Sequence, residues 1–504
     1  MHDRTVRLSI DSGTIEGFTR DGVHRWRSVP YARPPVGPYR LQAPQPVAPW
    51  SGIRYCHSIG NCAPQDRRFT MVSVGKFQPM SEDCLTLNVV APEESAGGQL
   101  PVMFFIHGGG YLMGSSTVYD GAALARRGCV YVSANYRLGA LGCLDLSPLA
   151  TAEHPIGDNL AWRDLVAALQ WVHRNIAVFG GDPSNVTIFG ESAGAHAVAT
   201  LLTIPGAEGL FHHAICESPA SGLVSSPEIA AALADQYAEL LGADHSTGAA
   251  AAMNATPAEL NAALYRLLKN AAKELPGAFP AGPTCRTEFL PVDPIEAMRQ
   301  GSAHRVPLIV GGNKDEGKLF RRFMPLLPIR QRSIENVLSR TAPGVREQIL
   351  AAYPDYPSDA ACVRFGGDFA FSSATWQIAQ AHSAHAPTYV YRYDYAPRTL
   401  QMAGFGATHA TELLAVFDVY RSPLGELMTV GIDRASARRV SNDVQNRWRA
   451  FSRTGTPGQG WPPYTAENRA VLVFDRTSRI DYDPDGDRRR AWEGFAMVPG
   501  PVSS

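Results

Sequence analysis

The chain has 504 residues, 45% hydrophobic and 18% charged, which is ample apolar material for a large core and excludes a disordered chain. Its 46 basic side chains meet 47 acidic ones, for a formal charge of -1; this leaves no electrostatic footprint for a nucleic acid or an anionic membrane and favours small-molecule or neutral partners. No run approaches the roughly 18 apolar residues of a membrane span, and residues 1–10 lack the apolar core of a signal peptide, so the expected setting is the cytoplasm.

Residues 1–10 alternate polar and apolar and read as a first strand. Apolar runs predict strands over 102–106 and 130–136 with a helix over 121–126 between them, then a helix over 160–172 and a strand over 185–189. Continuous apolar strands separated by helical runs imply parallel pairing buried on both faces, an α/β sheet with crossover helices. From about 221 to 303 the sequence turns alanine-rich and helical. Strand character returns over 305–310, lapses in a second helical stretch from about 329 to 386, and returns over 388–393, the last strong strand. Helical insertions between late strands are expected over the carboxyl ends of the sheet, where α/β ligand crevices form, as a lid or gorge wall. No linker or repeat divides the chain, so one elaborated domain over 1–504 is expected. Eight cysteines without a C-x-x-C pair are too few for a disulfide scaffold and offer no metal motif, so no metal or other cofactor is expected. The glycosylation sequons at Asn185 and Asn254 are expected to be incidental.

Gly190-Glu191-Ser192-Ala193-Gly194 follows the 185–189 strand and precedes the small-residue run 195–202. In a chain with 46 glycines the pentapeptide alone is close to chance. Strand, sharp turn and helix around it make it a nucleophile elbow, with Ser192 lifted to the tip of the turn. A serine hydroxyl is a poor nucleophile at neutral pH and needs a base within hydrogen-bond reach and an acid to orient that base. Strand 305–310 runs into Gly311-Gly312-Asn313-Lys314-Asp315-Glu316-Gly317, which offers Glu316 with Asp315 in reserve; a solvated acidic turn is the bland alternative. The loop after strand 388–393 carries Gly404-Phe405-Gly406-Ala407-Thr408-His409-Ala410, followed by an amphipathic helix over 411–420, and makes His409 the candidate base. Negative charge on an attacked carbonyl must be met by preorganised N–H donors. His107-Gly108-Gly109-Gly110-Tyr111 supplies a run of them after strand 102–106, and Ala193 supplies another. A nucleotide phosphate loop fails on spacing, because G-x-G-x-x-G from Gly108 would need glycine at Met113.

These features resemble the type-B carboxylesterases, the family of cholinesterases and bacterial para-nitrobenzyl esterases. The likeness runs nearly end to end, through Val29-Pro30-Tyr31-Ala32-Arg33-Pro34-Pro35-Val36-Gly37, Ser81-Glu82-Asp83-Cys84-Leu85-Thr86-Leu87-Asn88-Val89, Asn135-Tyr136-Arg137-Leu138-Gly139 and Phe179-Gly180-Gly181-Asp182-Pro183. The resemblance implies an α/β-hydrolase fold and a serine carboxylesterase acting on small-molecule esters through an acyl-enzyme. It implies Ser192 as nucleophile, Glu316 rather than Asp315 as orienting acid and His409 as base. Gly109, Gly110 and Ala193 become the oxyanion donors, Glu191 a support for the imidazolium, and Cys62 with Cys84 a disulfide pair. Activity is then expected to rise with pH as His409 loses its proton. A lipase or amidase on the same triad is the alternative, and a non-catalytic adhesion protein of the same fold is disfavoured because all three triad positions are filled. The chain departs from the family in three places. No tryptophan occurs over 69–80, so a cage for choline is not expected; Arg163-Asp164 stands where Asp-Gln is usual; and Ala410 follows His409 where glycine is usual.

Overall fold

The computed structural model describes residues 4–73, 75–94, 99–274, 279–323, 327–339, 341–429, 431 and 433–495. The chain divides into two compact units, the first of Met1–Ala214, Leu223–Glu274 and Phe279–Pro294, the second of Ile215–Gly222, Leu275–Ala278 and Ile295–Ser504.

The first unit begins with β1 (Arg4–Ile10), β2 (Gly13–Arg20), β3 (Val23–Pro30) and β4 (Ile53–Tyr55), followed by a separate small hairpin of β5 (Met71–Ser73) and β6 (Lys76–Phe77). It continues with β7 (Thr86–Pro92), β8 (Leu100–Ile106), β9 (Val130–Ala134) and β10 (Gly181–Glu191). Its sheet runs β1-β2-β3-β7-β9-β8-β10, with β4 against β2. Along that order pairing is antiparallel from β1 to β9 and parallel where β8 meets β9 and β10, and β4 joins β2 in parallel. The change follows the sequence. β1 alternates, turning Arg4 and Arg7 outward as an edge strand should, whereas Val130–Ala134 is buried throughout and Leu100–Ile106 from its second residue on. In the β8–β10 register Gly190 lies opposite Ile106, so the glycine loop and the elbow leave the sheet at the same level.

In the second unit the sheet order is β11 (His213–Glu217, from Ile215 on in this unit), β12 (Leu308–Asn313), β13 (Thr388–Tyr393), β14 (Ala470–Phe474) and β15 (Arg479–Tyr482). β12, β13 and β14 are parallel and β15 returns antiparallel. Asn313 lies opposite Tyr393, and the loops after β12 and β13 therefore start side by side.

The expected strands occur, the one over 305–310 displaced to Leu308–Asn313, and the helix expected over 160–172 runs over Leu160–Asn175. The first alanine-rich stretch forms the helices Pro227–Leu240, His245–Asn254, Pro257–Glu274 and Pro294–Gln300. The second forms Gln331–Leu338, Pro343–Ala351, Asp359–Gly367 and Ser373–Ser383, the last two joined by a π-helical turn over Asp368–Ser372. Two expectations need correction. The helix over 411–420 is broken into Leu413–Val416 and a 3-10 turn Val419–Arg421, because Asp418 between them takes a left-handed φ of 56°. The strand at 388–393 is not the last strong one, since Ala470–Phe474 is wholly buried. Residues 1–3 of the expected first strand, and 275–278 and 340 of the helical stretches, lie outside the described residues. Among the described residues no helix is long and apolar enough to cross a membrane.

Candidate active site

In the first unit Ser192 joins β10 to the helix Ala193–Leu201 with φ 60° and ψ -124°, a conformation that costs a non-glycine residue of order 1–3 kcal/mol and persists only where the surroundings impose it. They do so by close approach. A Cβ on Gly194 would lie 2.1 Å from the Ile106 carbonyl oxygen and one on Gly190 would lie 2.6 Å from the same atom, so only glycines let β8, the elbow and the helix meet there. Gly108, just past β8, is pressed on the elbow in turn: its Cβ would stand 3.0 Å from the Cβ of Ser192 and 3.0 Å from Oε2 of the buried Glu191. The following Gly109 and Gly110 take φ of 108° and 61°, and the Gly109 carbonyl closes the turn by accepting from Leu112 and Met113. Among the described residues no acceptor faces the Gly109 or Gly110 N–H. Ala193, first in its helix, has an N–H without an intrahelical acceptor. Three N–H groups are thereby without an acceptor among the described residues. His107 anchors the start of the loop, its ring stacked on Tyr136 at 4.5 Å and its carbonyl accepting from the Tyr136 hydroxyl at 2.7 Å. Burial lowers His107 to about 4, against a weaker opposing effect of the Gly108 carbonyl.

In the second unit the loops after β12 and β13 are fastened together. Asp315 N–H donates to the Ala407 carbonyl at 2.8 Å, and Thr408 Oγ1 accepts from Leu319 N–H at 2.7 Å. His409 Nδ1 lies 2.6 Å from Glu316 Oε2. A carboxylate accepts, so Nδ1 carries the hydrogen and Nε2 keeps the lone pair a base needs. Asp315 instead pairs with Lys318 at 2.9 Å and accepts from Ala407 N–H at 3.2 Å, a loop tie. Phe371, on the π-helical turn, stacks on the imidazole with ring centroids 4.0 Å apart, and Phe320 flanks it at 5.3 Å. The first unit thus brings together Ser192, Ala193, Gly109, Gly110 and Glu191; the second brings together Glu316 and His409.

Several residues of this site went unread in the sequence. Glu316 Oε1 accepts from Ser218 Oγ and from Asn313 N–H, each at 2.6 Å. Ser218 Oγ is also 3.0 Å from Glu412 Oε1, and Asn313 Nδ2 donates to the other oxygen of Glu412. Two buried carboxylates therefore share one serine. The only sequence signal was a glutamate three residues past His409. Cys62 and Cys84, a possible disulfide by the resemblance, are both buried free thiols. Cys62 donates to the Pro79 carbonyl and is raised to about 11 by burial, and burial raises Cys84 further. Among the described residues no group of three His, Cys, Asp or Glu side chains could hold a metal ion.

Comparison with known proteins gives the family. The model of the carboxylesterase family matches residues 3–492. The para-nitrobenzyl esterase of Bacillus subtilis (strain 168) is 35% identical over 494 residues, covering 96% of this chain and 97% of its own. The phenmedipham hydrolase of Pseudarthrobacter oxydans is 33% identical over 482 residues, covering 92% and 93%. A solved PNB esterase superposes with a TM-score of 0.85 at 34% identity, over 96% of this chain and 99% of that one.

Proposed function

Since this chain belongs to the carboxylesterase family, has the α/β-hydrolase fold and is a serine carboxylic ester hydrolase, we propose that Ser192, His409 and Glu316 carry its reaction. His409 Nε2 takes the Ser192 proton as the serine oxygen attacks the ester carbonyl, and the imidazolium returns that proton to the departing alcohol. A water deprotonated by the same imidazole then attacks the acyl-enzyme and releases the acid. Glu316 holds the tautomer and offsets the imidazolium charge. Gly109, Gly110 and Ala193 donate to the oxyanion, and Glu191, buried beside the serine, adds negative charge that favours the imidazolium. The observation that carries the reading is the 2.6 Å bond between His409 Nδ1 and Glu316 Oε2, which sets the tautomer in which Nε2 is the basic nitrogen.

The relative named for para-nitrobenzyl esters supports a small-molecule benzyl ester as substrate and para-nitrobenzyl esters as the first probe. Ser192→Ala, with its circular dichroism unchanged, is expected to lose about 10⁴-fold or more of kcat on such an ester. An organophosphate should add once per wild-type chain, on the tryptic peptide that holds Ser192. Turnover near wild type in the alanine variant, or labelling elsewhere, overturns the assignment.

A further inference from the structure

We propose that Tyr111 and His196 form a positioning pair that locks the oxyanion loop to the nucleophile helix. The inference rests on the reading of Ser192 as nucleophile and of Gly109, Gly110 and Ala193 as oxyanion donors, and deepens it.

Tyr111 ends the glycine turn as its third consecutive residue with positive φ, at 60° after 108° and 61°. A glycine bears that conformation freely; a tyrosine does not. The strain is held by what the side chain reaches. The ring is wholly buried, edge-on to Trp162 at 5.1 Å, and the Tyr111 carbonyl accepts from Gly139 N–H at 2.8 Å. The hydroxyl lies 2.8 Å from Nδ1 of His196. His196 sits one turn into the helix behind the elbow, and its own N–H donates to the Ser192 carbonyl at 3.0 Å. One residue therefore grips the strained serine through its backbone and the glycine loop through its ring.

The two sources of oxyanion donors, the loop and the helix, belong to different segments of chain and must keep their spacing to a fraction of an ångström for three N–H groups to converge on one oxygen. Two glycines in succession have no side chains with which to hold a peptide plane. The Tyr111–His196 bond spans the gap between those segments. Burial lowers His196 to about 3, so near neutral pH the ring is an uncharged hydrogen-bonding partner. It is a fixed partner and moves no proton.

Three variants and one inhibitor test this. Tyr111→Phe keeps the ring and removes the bond; His196→Ala removes the partner; His196→Gln restores a side chain that can hydrogen-bond. Each is measured for kcat, KM, thermal midpoint and inhibition by an aryl trifluoromethyl ketone, whose hemiketal oxyanion needs the donors. Tyr111→Phe and His196→Ala are expected to lose about 10- to 100-fold in kcat, with KM within about twofold, an equal weakening of the ketone, and an unchanged pH of half-maximal activity. His196→Gln should recover most of that loss. A lower thermal midpoint with kcat and ketone affinity at wild-type levels would overturn the proposal and leave the pair a packing contact. A wild-type enzyme indifferent to the ketone would instead sink the underlying assignment of nucleophile and donors.

Discussion

Ala410 shows how a single departure from family usage is felt. It follows His409 with φ 65°, where a side chain costs about 1–2 kcal/mol relative to the right-handed region, and the Thr411 N–H to Thr408 carbonyl bond at 3.0 Å holds the turn that imposes it. Glycine would remove that strain and give back about 0.4–1 kcal/mol through the freer unfolded chain. Ala410→Gly is therefore expected to stabilise by about 0.5–1 kcal/mol, read as a later urea midpoint. An earlier midpoint would mean that the methyl group makes a contact worth more than the strain. Ser192, Glu316 and His409 stood out in the sequence as candidates because each lies in a glycine-rich loop after an apolar strand. Ser218, Asn313 and Glu412 did not, because nothing local in a sequence says that three polar side chains from three separate segments meet in one buried hydrogen-bond network.

Longer elements are joined by a charge pair that explains another departure. Arg137, past the end of β9, donates from Nε and Nη2 to Asp164 of the helix Leu160–Asn175 at 2.8 and 2.6 Å, and its backbone N–H adds a third bond at 3.1 Å. Both side chains are almost wholly buried. Burial opposes the Arg137 charge, but the Asp164 carboxylate outweighs it and keeps the guanidinium protonated. Arg163 is absorbed separately by Asp158 and by the Phe289 ring at 4.3 Å. Arg163-Asp164 thus has its own packing solution in place of the family's Asp-Gln. Asp164→Asn strands a buried guanidinium and is expected to cost about 3–5 kcal/mol, measured by chemical denaturation. The double replacement Arg137→Met with Asp164→Leu should cost less than either single change, and an additive result would refute the coupling. At this level the apolar runs of β8, β9, β12 and β13 were readable, whereas Ala470–Phe474 follows the same rule and was passed over. The broken helix after His409 was not readable, since its period is intact and only the backbone turn at Asp418 interrupts it.

Taken whole, the molecule carries an acid sensitivity built from histidines buried without charge. His107 and His196 sit at about 4 and about 3 in the folded protein, below the ordinary 6.5 of an unfolded chain. Between those limits the unfolded state binds more protons, so their stabilising contribution is full above about pH 6.5 and declines as pH falls toward the folded values. Each should remove about 2 kcal/mol between pH 7 and pH 5. Urea midpoints at the two pH values measure this, and His196→Gln should shrink the difference; an equal difference in the variant would show that His196 is not the group responsible.

The order of chemistry along the chain was present in the sequence before any coordinates. The glycine loop, serine elbow, acid and histidine each follow an apolar strand, and strand periodicity and turn residues are local properties that a one-dimensional reading captures. Glu316 was preferred to Asp315 in the sequence and likeness strengthened that choice, but only the fold seated Glu316 on Nδ1 and Asp315 on the neighbouring loop. The tertiary structure alone decided the partners that hold those groups in place, among them Tyr111 with His196, Phe371 on the imidazole, and Ser218 between two carboxylates. The physical reason is one of range. A strand or turn is specified by residues a few positions apart, whereas a buried hydrogen bond is specified by which distant segments exclude water from each other, and that is fixed only when the sheet assembles.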